Sequence, residues 1–156
     1  MSSITRATTP AVPEPQPETW SNCLVADGIA YIAGMTASGG DLTDEYTQGK
    51  AIFTKIRHLI EAAGGSMADI VTVTIFVTDI TQREKVWQAR REFFTGNFPA
   101  STLVQVAALA TPQLSVEINA IAQCIVCMIS IGVAGYISSE IIRVLGRFAT
   151  PWQSNR

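Results

Sequence analysis

Charge and histidine are scarce in this chain, and each shortage narrows what it can do. Asp, Glu, Lys and Arg make up 15% of the 156 residues, while 47% are hydrophobic. That is lean in charge for a soluble domain, and it predicts that part of the surface is hidden against further copies of the chain. The eleven Lys and Arg are scattered and the net charge is −2, so no basic stripe is available for nucleic acid. With a single histidine, His58, a histidine metal cluster is excluded. Its place on a helix beside Glu61 reads as surface or half-buried packing. Cys23, Cys124 and Cys127 cannot all pair within one chain, and free thiols are expected. Cys124-Ile125-Val126-Cys127 has CxxC form, but a redox motif belongs at a helix N-terminus and a zinc site needs about four ligands. No metal and no cofactor are therefore expected. The N-terminus lacks an apolar secretory core, which points to a cytoplasmic setting.

What is present is a regular alternation of strand and helix patterns. Pro10, Pro13, Pro15 and Pro17 predict a flexible Pro-rich arm over residues 1–17, because proline lacks a donor and restrains its neighbour. The fold is expected to start near Trp20. Ser21–Val25 and Ile29–Met35, separated by Asp27-Gly28, read as a β-hairpin. Between Asp44 and Ala63, Ile52, Ile56, Leu59, Ile60 and Ala63 line one helical face, and Gly64-Gly65 ends it. Ile70–Thr78 alternates, with Val71, Val73, Ile75 and Val77 on one side and Thr72, Thr74, Phe76 and Thr78 on the other. Thr81 with Glu84 reads as a capping box for a second helix reaching about Thr95, with Val86, Ala89 and Phe93 as its stripe. Ser101–Leu109 and Leu114 to about Ile125 read as two more strands forming a hairpin. Two helices can cover only one face of such a sheet. An α+β two-layer sandwich follows, with its open face a natural association surface.

Ala33-Gly34-Met35, Glu61-Ala62-Ala63-Gly64, Asp69-Ile70-Val71, Val77-Thr78-Asp79, Phe98-Pro99-Ala100 and Val116-Glu117-Ile118-Asn119-Ala120-Ile121-Ala122 occur in that order. As an ensemble from about Pro17 to Ala122, they resemble the Rid (YjgF/UK114) family of reactive-intermediate imine deaminases. The resemblance implies a chorismate-mutase-like α+β fold with a mixed sheet. It also implies a homotrimer with a cleft between each pair of subunits. In the family's imine deaminases an arginine follows Phe-Pro-Ala and pairs with the substrate carboxylate; Ser101 stands there in this chain. The family's water-positioning glutamate is matched by Glu117. The tyrosine before the first strand is Trp20, the serine before the glycine of the second strand is Ala33 beside Gly34, the helix-two asparagine is Trp87, and the cysteine two places past the arginine is Leu103.

Those departures shift the expected chemistry. Losing one partner of a buried Arg–carboxylate pair costs roughly 2–5 kcal/mol, so hydrolysis of 2-imino acids is not expected. Trp20, Trp87 and Leu103 make the implied cleft more apolar, which suits an aromatic or uncharged ligand. Both tryptophans equally fit ordinary core or interface packing. Glu117 lies between apolar neighbours on a strand, so its side chain points away from theirs, where it can act on a water or stand exposed. Ser101 and Thr102 either bind ligand or simply open a strand. No base accompanies them to activate a nucleophile.

After the strand that the resemblance ends on, residues 126–156 form an apolar extension. The uncharged run from Asn119 to Ser139 approaches the ~20 residues of a membrane span, but its first part belongs to that strand and the remainder is short. No membrane segment is expected. Ile137, Ile141, Val144 and Phe148 predict a helix there. The domain division is thus 1–17, 18–125 and 126–156. The functional expectation is a cofactor-free hydrolase or deaminase of a reactive imine, enamine or related small intermediate; the alternative is a silent ligand-binding or scaffold trimer. A ribonuclease needs phosphate contacts that the scattered charge does not offer.

Overall fold

Asp27-Gly28 turns the chain first. Both residues have positive φ, 51° and 77°, the geometry a two-residue hairpin turn requires, and β2 (Cys23–Ala26) pairs antiparallel with β3 (Ile29–Thr36) across it. In the computed structural model, residues 4–124 are described. The expected tail helix and Cys127 lie outside them.

The arm departs from its expected form. Ile4–Arg6 is β1, a short strand pairing with β2 at the sheet edge. Ala7 and Val12 are buried, so the fold begins well before Trp20. Proline spacing hid this because the three strand residues precede the first proline. From Pro13 the arm is held by Asn22, whose Nδ2 donates to the Pro13 carbonyl at 3.0 Å.

Helix α1 (Glu45–Ala62) starts where Asp44 accepts from the Thr47 N–H, satisfying one of the orphan donors of the first turn. Ile52, Phe53, Ile56, Leu59 and Ile60 are fully buried along its predicted face. Gly64, at φ 84°, follows its end. After a 3-10 turn comes β4 (Ile70–Val77). A second 3-10 turn over Ile80–Gln82 then leads into α2 (Arg83–Arg91). The Thr81–Glu84 capping box does not form. Asp79 accepts from the Thr81 N–H instead, so Thr81 lies inside the turn, and the helix stops at Arg91, short of Thr95.

β5 (Ala100–Gln105) and β6 (Val116–Gln123) complete a six-stranded sheet of order β1-β2-β3-β6-β4-β5. The expected β5–β6 hairpin is a misreading. The crossover through α2 lays β5 parallel to β4, and β6 inserts antiparallel between β3 and β4. Loop 106–115 therefore passes the end of β4, held there by Val106 N–H to Val77 O and Thr78 N–H to Ser115 O.

Val73, Ile75, Val77, Val116, Ile118 and Ala120 meet α1 and α2 in one core. Each large aliphatic buried there contributes about 1.5–3 kcal/mol. Val71, expected on that face, is 55% exposed. A register shift between Ile70 and Thr72 breaks the alternation, and Ile70 is buried in its place. Among the described residues no helix covers the other face, where Tyr31, Val104 and Ile121 are exposed.

Candidate active site

Central position in the sheet gives β6 its rigidity, and its alternation sorts its side chains. Val116, Ile118, Ala120 and Ala122 are buried in the core, so Glu117, Asn119 and Ile121 project from the open face. Glu117 is flanked by Thr36 of β3 and Phe76 of β4. Opposite Asn119, β3 carries two residues, Ala33 and Gly34, between the pairs Ile32–Ala120 and Met35–Ile118. This bulge bends the strand and brings its backbone under the glutamate. A β-carbon at position 34 would lie 2.1 Å from Glu117 Oε1 and 2.9 Å from its Cδ. Glycine is required there by space, since the carboxylate occupies the volume any side chain would need.

Glu117 and Gly34 form the floor of a cavity of about 460 Å³ walled by Trp20, Ala33, Thr36, Ser38 and loop residues Ala110, Thr111 and Leu114. Glu117 is half-buried and makes no hydrogen bond or ion pair among the described residues, leaving its lone pairs to a water or ligand. Trp20, 59% exposed, offers a broad apolar surface to the cavity.

Two side chains of α1 hold the cavity walls in place. Gln48 is buried at 1% exposure; its Nε2 donates to the Leu42 and Gln113 carbonyls, and its Oε1 accepts from the Ser115 and Val116 N–H groups. It thereby ties the loop that carries Leu114 to the helix layer. On the opposite wall, Lys55 Nζ donates to the Thr36 and Ser38 carbonyls at 2.9 and 2.8 Å. Burial pulls its ammonium below the usual lysine range, because the low-dielectric surroundings disfavour the charged form. Neither residue stood out in the sequence: each lies on a flank of an amphipathic helix, far from the strand motifs.

Among the residues singled out from sequence, the chain brings Glu117, Gly34, Ala33 and Trp20 into one cavity. Ser101, Thr102 and Leu103 stand on the edge strand β5 and do not line it. Thr102 pairs with Thr74 and shares the open face, whereas Ser101 and Leu103 pair with Val73 and Ile75 on the helix side. Leu103 packs against the core. Trp87 lies on α2 in the helix layer, with the Arg83 guanidinium 5.7 Å from its ring centroid. His58 Nδ1 sits 3.9 Å from Glu61, and no group of three or more His, Cys, Asp or Glu able to hold a metal occurs among the described residues.

Residues 13–124 match the family model described as Endoribonuclease L-PSP. The chain belongs to this family, which includes YjgF, UK114 and Rid. Among solved structures, a protein of unknown function from Pseudomonas aeruginosa is 35% identical with a TM-score of 0.74, the match covering 80% of this chain and 94% of that one. A YjgF/YER057c/UK114 family member from Mycobacterium tuberculosis is 29% identical with a TM-score of 0.68, covering 78% and 99%. The YjgF product of E. coli is 26% identical with a TM-score of 0.70, covering 76% and 98%. The α+β sheet described above is thus the fold of the YjgF/Rid relatives.

Proposed function

We propose that this Rid-family chain hydrolyses a reactive imine, enamine or related small intermediate, with Glu117 acting on the attacking water. One observation carries the reading. A half-buried carboxylate without protein partners among the described residues sits over a glycine, on the floor of a cavity with an aromatic wall. In that position it accepts a proton as the water oxygen bonds to the imine carbon. It returns that proton to the imine nitrogen, giving a carbinolamine, and then passes the hydroxyl proton to nitrogen as the carbon–nitrogen bond breaks, so that water and imine become a carbonyl compound and ammonia. No electrons leave the system and no cofactor is called for.

Ser101, Thr102 and Leu103 do not reach this cavity from their own chain. In a homotrimer with clefts between subunits, Thr102, on the open face, would meet ligand in a neighbouring copy's cavity. The exposed Tyr31, Val104 and Ile121, on the face that no described helix covers, support the same assembly. Freshly generated imines of several amines, assayed for ammonia release above the buffer rate, test the chemistry. Glu117→Gln is expected to lower turnover by roughly 10²–10⁴-fold, the usual contribution of a general base, with ligand affinity retained. An absence of turnover with every imine supplied would instead favour a ligand-binding trimer, consistent with Ser101 in place of the family's arginine.

A further inference from the structure

The pairing of β2 with β3 stops at Cys23, and beyond it the Ala33 N–H still donates to the Asn22 carbonyl at 3.0 Å before the two segments part. Against β3 beyond that point lies a second cavity of about 280 Å³, between the arm and α1, lined by Pro13, Pro15, Trp20, Asn22, Met35 and Lys55 among others. It shares Trp20, Gly34, Thr36 and Ser38 with the Glu117 cavity, so the two are neighbours around one strand edge.

Among the described residues, Lys55 is the only charged side chain in this cavity's lining. An ammonium has three protons to donate, and Lys55 directs two of them to neutral carbonyls. It forms no ion pair among the described residues, so its charge is not balanced locally. Glu14, the carboxylate on the adjacent arm, is turned elsewhere: it faces Arg6 at 3.9 Å and accepts from Asn22 at 3.3 Å. A half-buried cation with a spare donor and partly apolar walls favours a monoanion, because an anion adds Coulomb attraction to the hydrogen bond and that attraction strengthens away from bulk water.

We infer that this arm-side cavity is a subsite for a small carboxylate held by Lys55, and that it sets the substrate class of the neighbouring Glu117 cavity. The inference rests on the reading of that cavity as the reacting site. Because the two cavities adjoin along Trp20, Gly34, Thr36 and Ser38, a ligand that spans them carries its carboxylate away from the reacting carbon. The substrate is then an imine or enamine whose acid group is set apart by a ring or a short chain lying along Trp20, and not a 2-imino acid. This revises the expectation of an uncharged ligand, which followed from the loss of a cation on β5; the cation here comes from α1.

Phenylacetate and its uncharged amide, phenylacetamide, serve as probes in calorimetric titrations of the full-length protein. Wild type is expected to bind the acid at least about tenfold more tightly, the equivalent of 1.4 kcal/mol. Lys55→Gln keeps donors for the two carbonyls and removes the charge, so it should abolish the preference, while Lys55→Arg should retain it. Equal binding of acid and amide by wild type, no binding of either at millimolar concentration, or a preference that survives Lys55→Gln overturns the subsite. The wild-type comparison decides even where a variant fails to fold. If no imine is turned over but the Lys55-dependent preference is present, the hydrolase reading fails and the subsite stands; turnover without the preference does the reverse.

Discussion

Gly34 and Glu117 divide one small volume between them, and the division has a measurable cost if disturbed. In Gly34→Ala the new methyl would stand 2.1 Å from Oε1. The carboxylate is the free end of a flexible side chain, so it swings aside and the sheet survives. Turnover is expected to fall at least tenfold while the melting temperature changes by only a few degrees, a thermal shift that corresponds to about 1 kcal/mol. Cys23 gives a second residue-scale test. Burial first, then the neighbouring Cys124 and Glu14, push its thiol up to about 11 from an ordinary value of 9.0. The folded state therefore binds a proton that the unfolded chain releases above pH 9. The associated stability, on the order of 2 kcal/mol, is fully present below pH 9 and is lost as pH rises toward 11. Denaturant midpoints measured across that range should fall in wild type and fall less in Cys23→Ala.

At the scale of elements, α1 acts as a frame. Gln48 satisfies four backbone groups of two loops and the start of β6, and replacing it by Leu leaves several of them buried and unpaired. A loss of roughly 3 kcal/mol is expected, at 1–3 kcal/mol for each unsatisfied group. Urea melts measure that loss, and hydrogen exchange should localise the loosening to loop 106–115. Both helices, the first hairpin and the alternation of β6 were legible because amphipathic spacing and Asp27-Gly28 act locally. Strand order was not. Whether β6 pairs with its sequence neighbour β5 or inserts between β3 and β4 depends on long-range pairing, to which Thr111-Pro112 is indifferent. The bulge at Ala33-Gly34 and the shift at Val71 were hidden for the same reason, as each is defined only against a partner strand. Of the site, Glu117 with Gly34, Ala33 and Trp20 could be read from motifs. Gln48 and Lys55 could not, because a polar residue on a helix flank looks the same whether it meets solvent or a carbonyl.

At the largest scale, the described residues form a sheet with one face covered by helices and the other bearing Tyr31 at 46%, Val104 at 39% and Ile121 at 37% exposure. A proposed homotrimer buries those side chains, and a carboxylate among them opposes it through its desolvation cost. Ile121→Glu is expected to shift the mass in light scattering from trimer toward monomer and to reduce turnover with it. If β5 serves a neighbour's cavity, two inactive proteins should rescue each other. Glu117→Gln mixed with Thr102→Trp after reversible dissociation should recover part of the activity, since some mixed clefts contain neither defect.

The shared volume at Gly34 also leaves a mark that comparison of natural sequences can read. No side chain fits at position 34 while the carboxylate at 117 keeps its place, so the two positions are bound to vary together. A lineage that acquires alanine or serine at the first has to shorten or redirect the second. The glycine is thus an indicator of the carboxylate's retained place: across relatives, its replacement should coincide with loss of the glutamate more often than chance, and under the proposed hydrolysis that loss would mark descendants that kept only the scaffold.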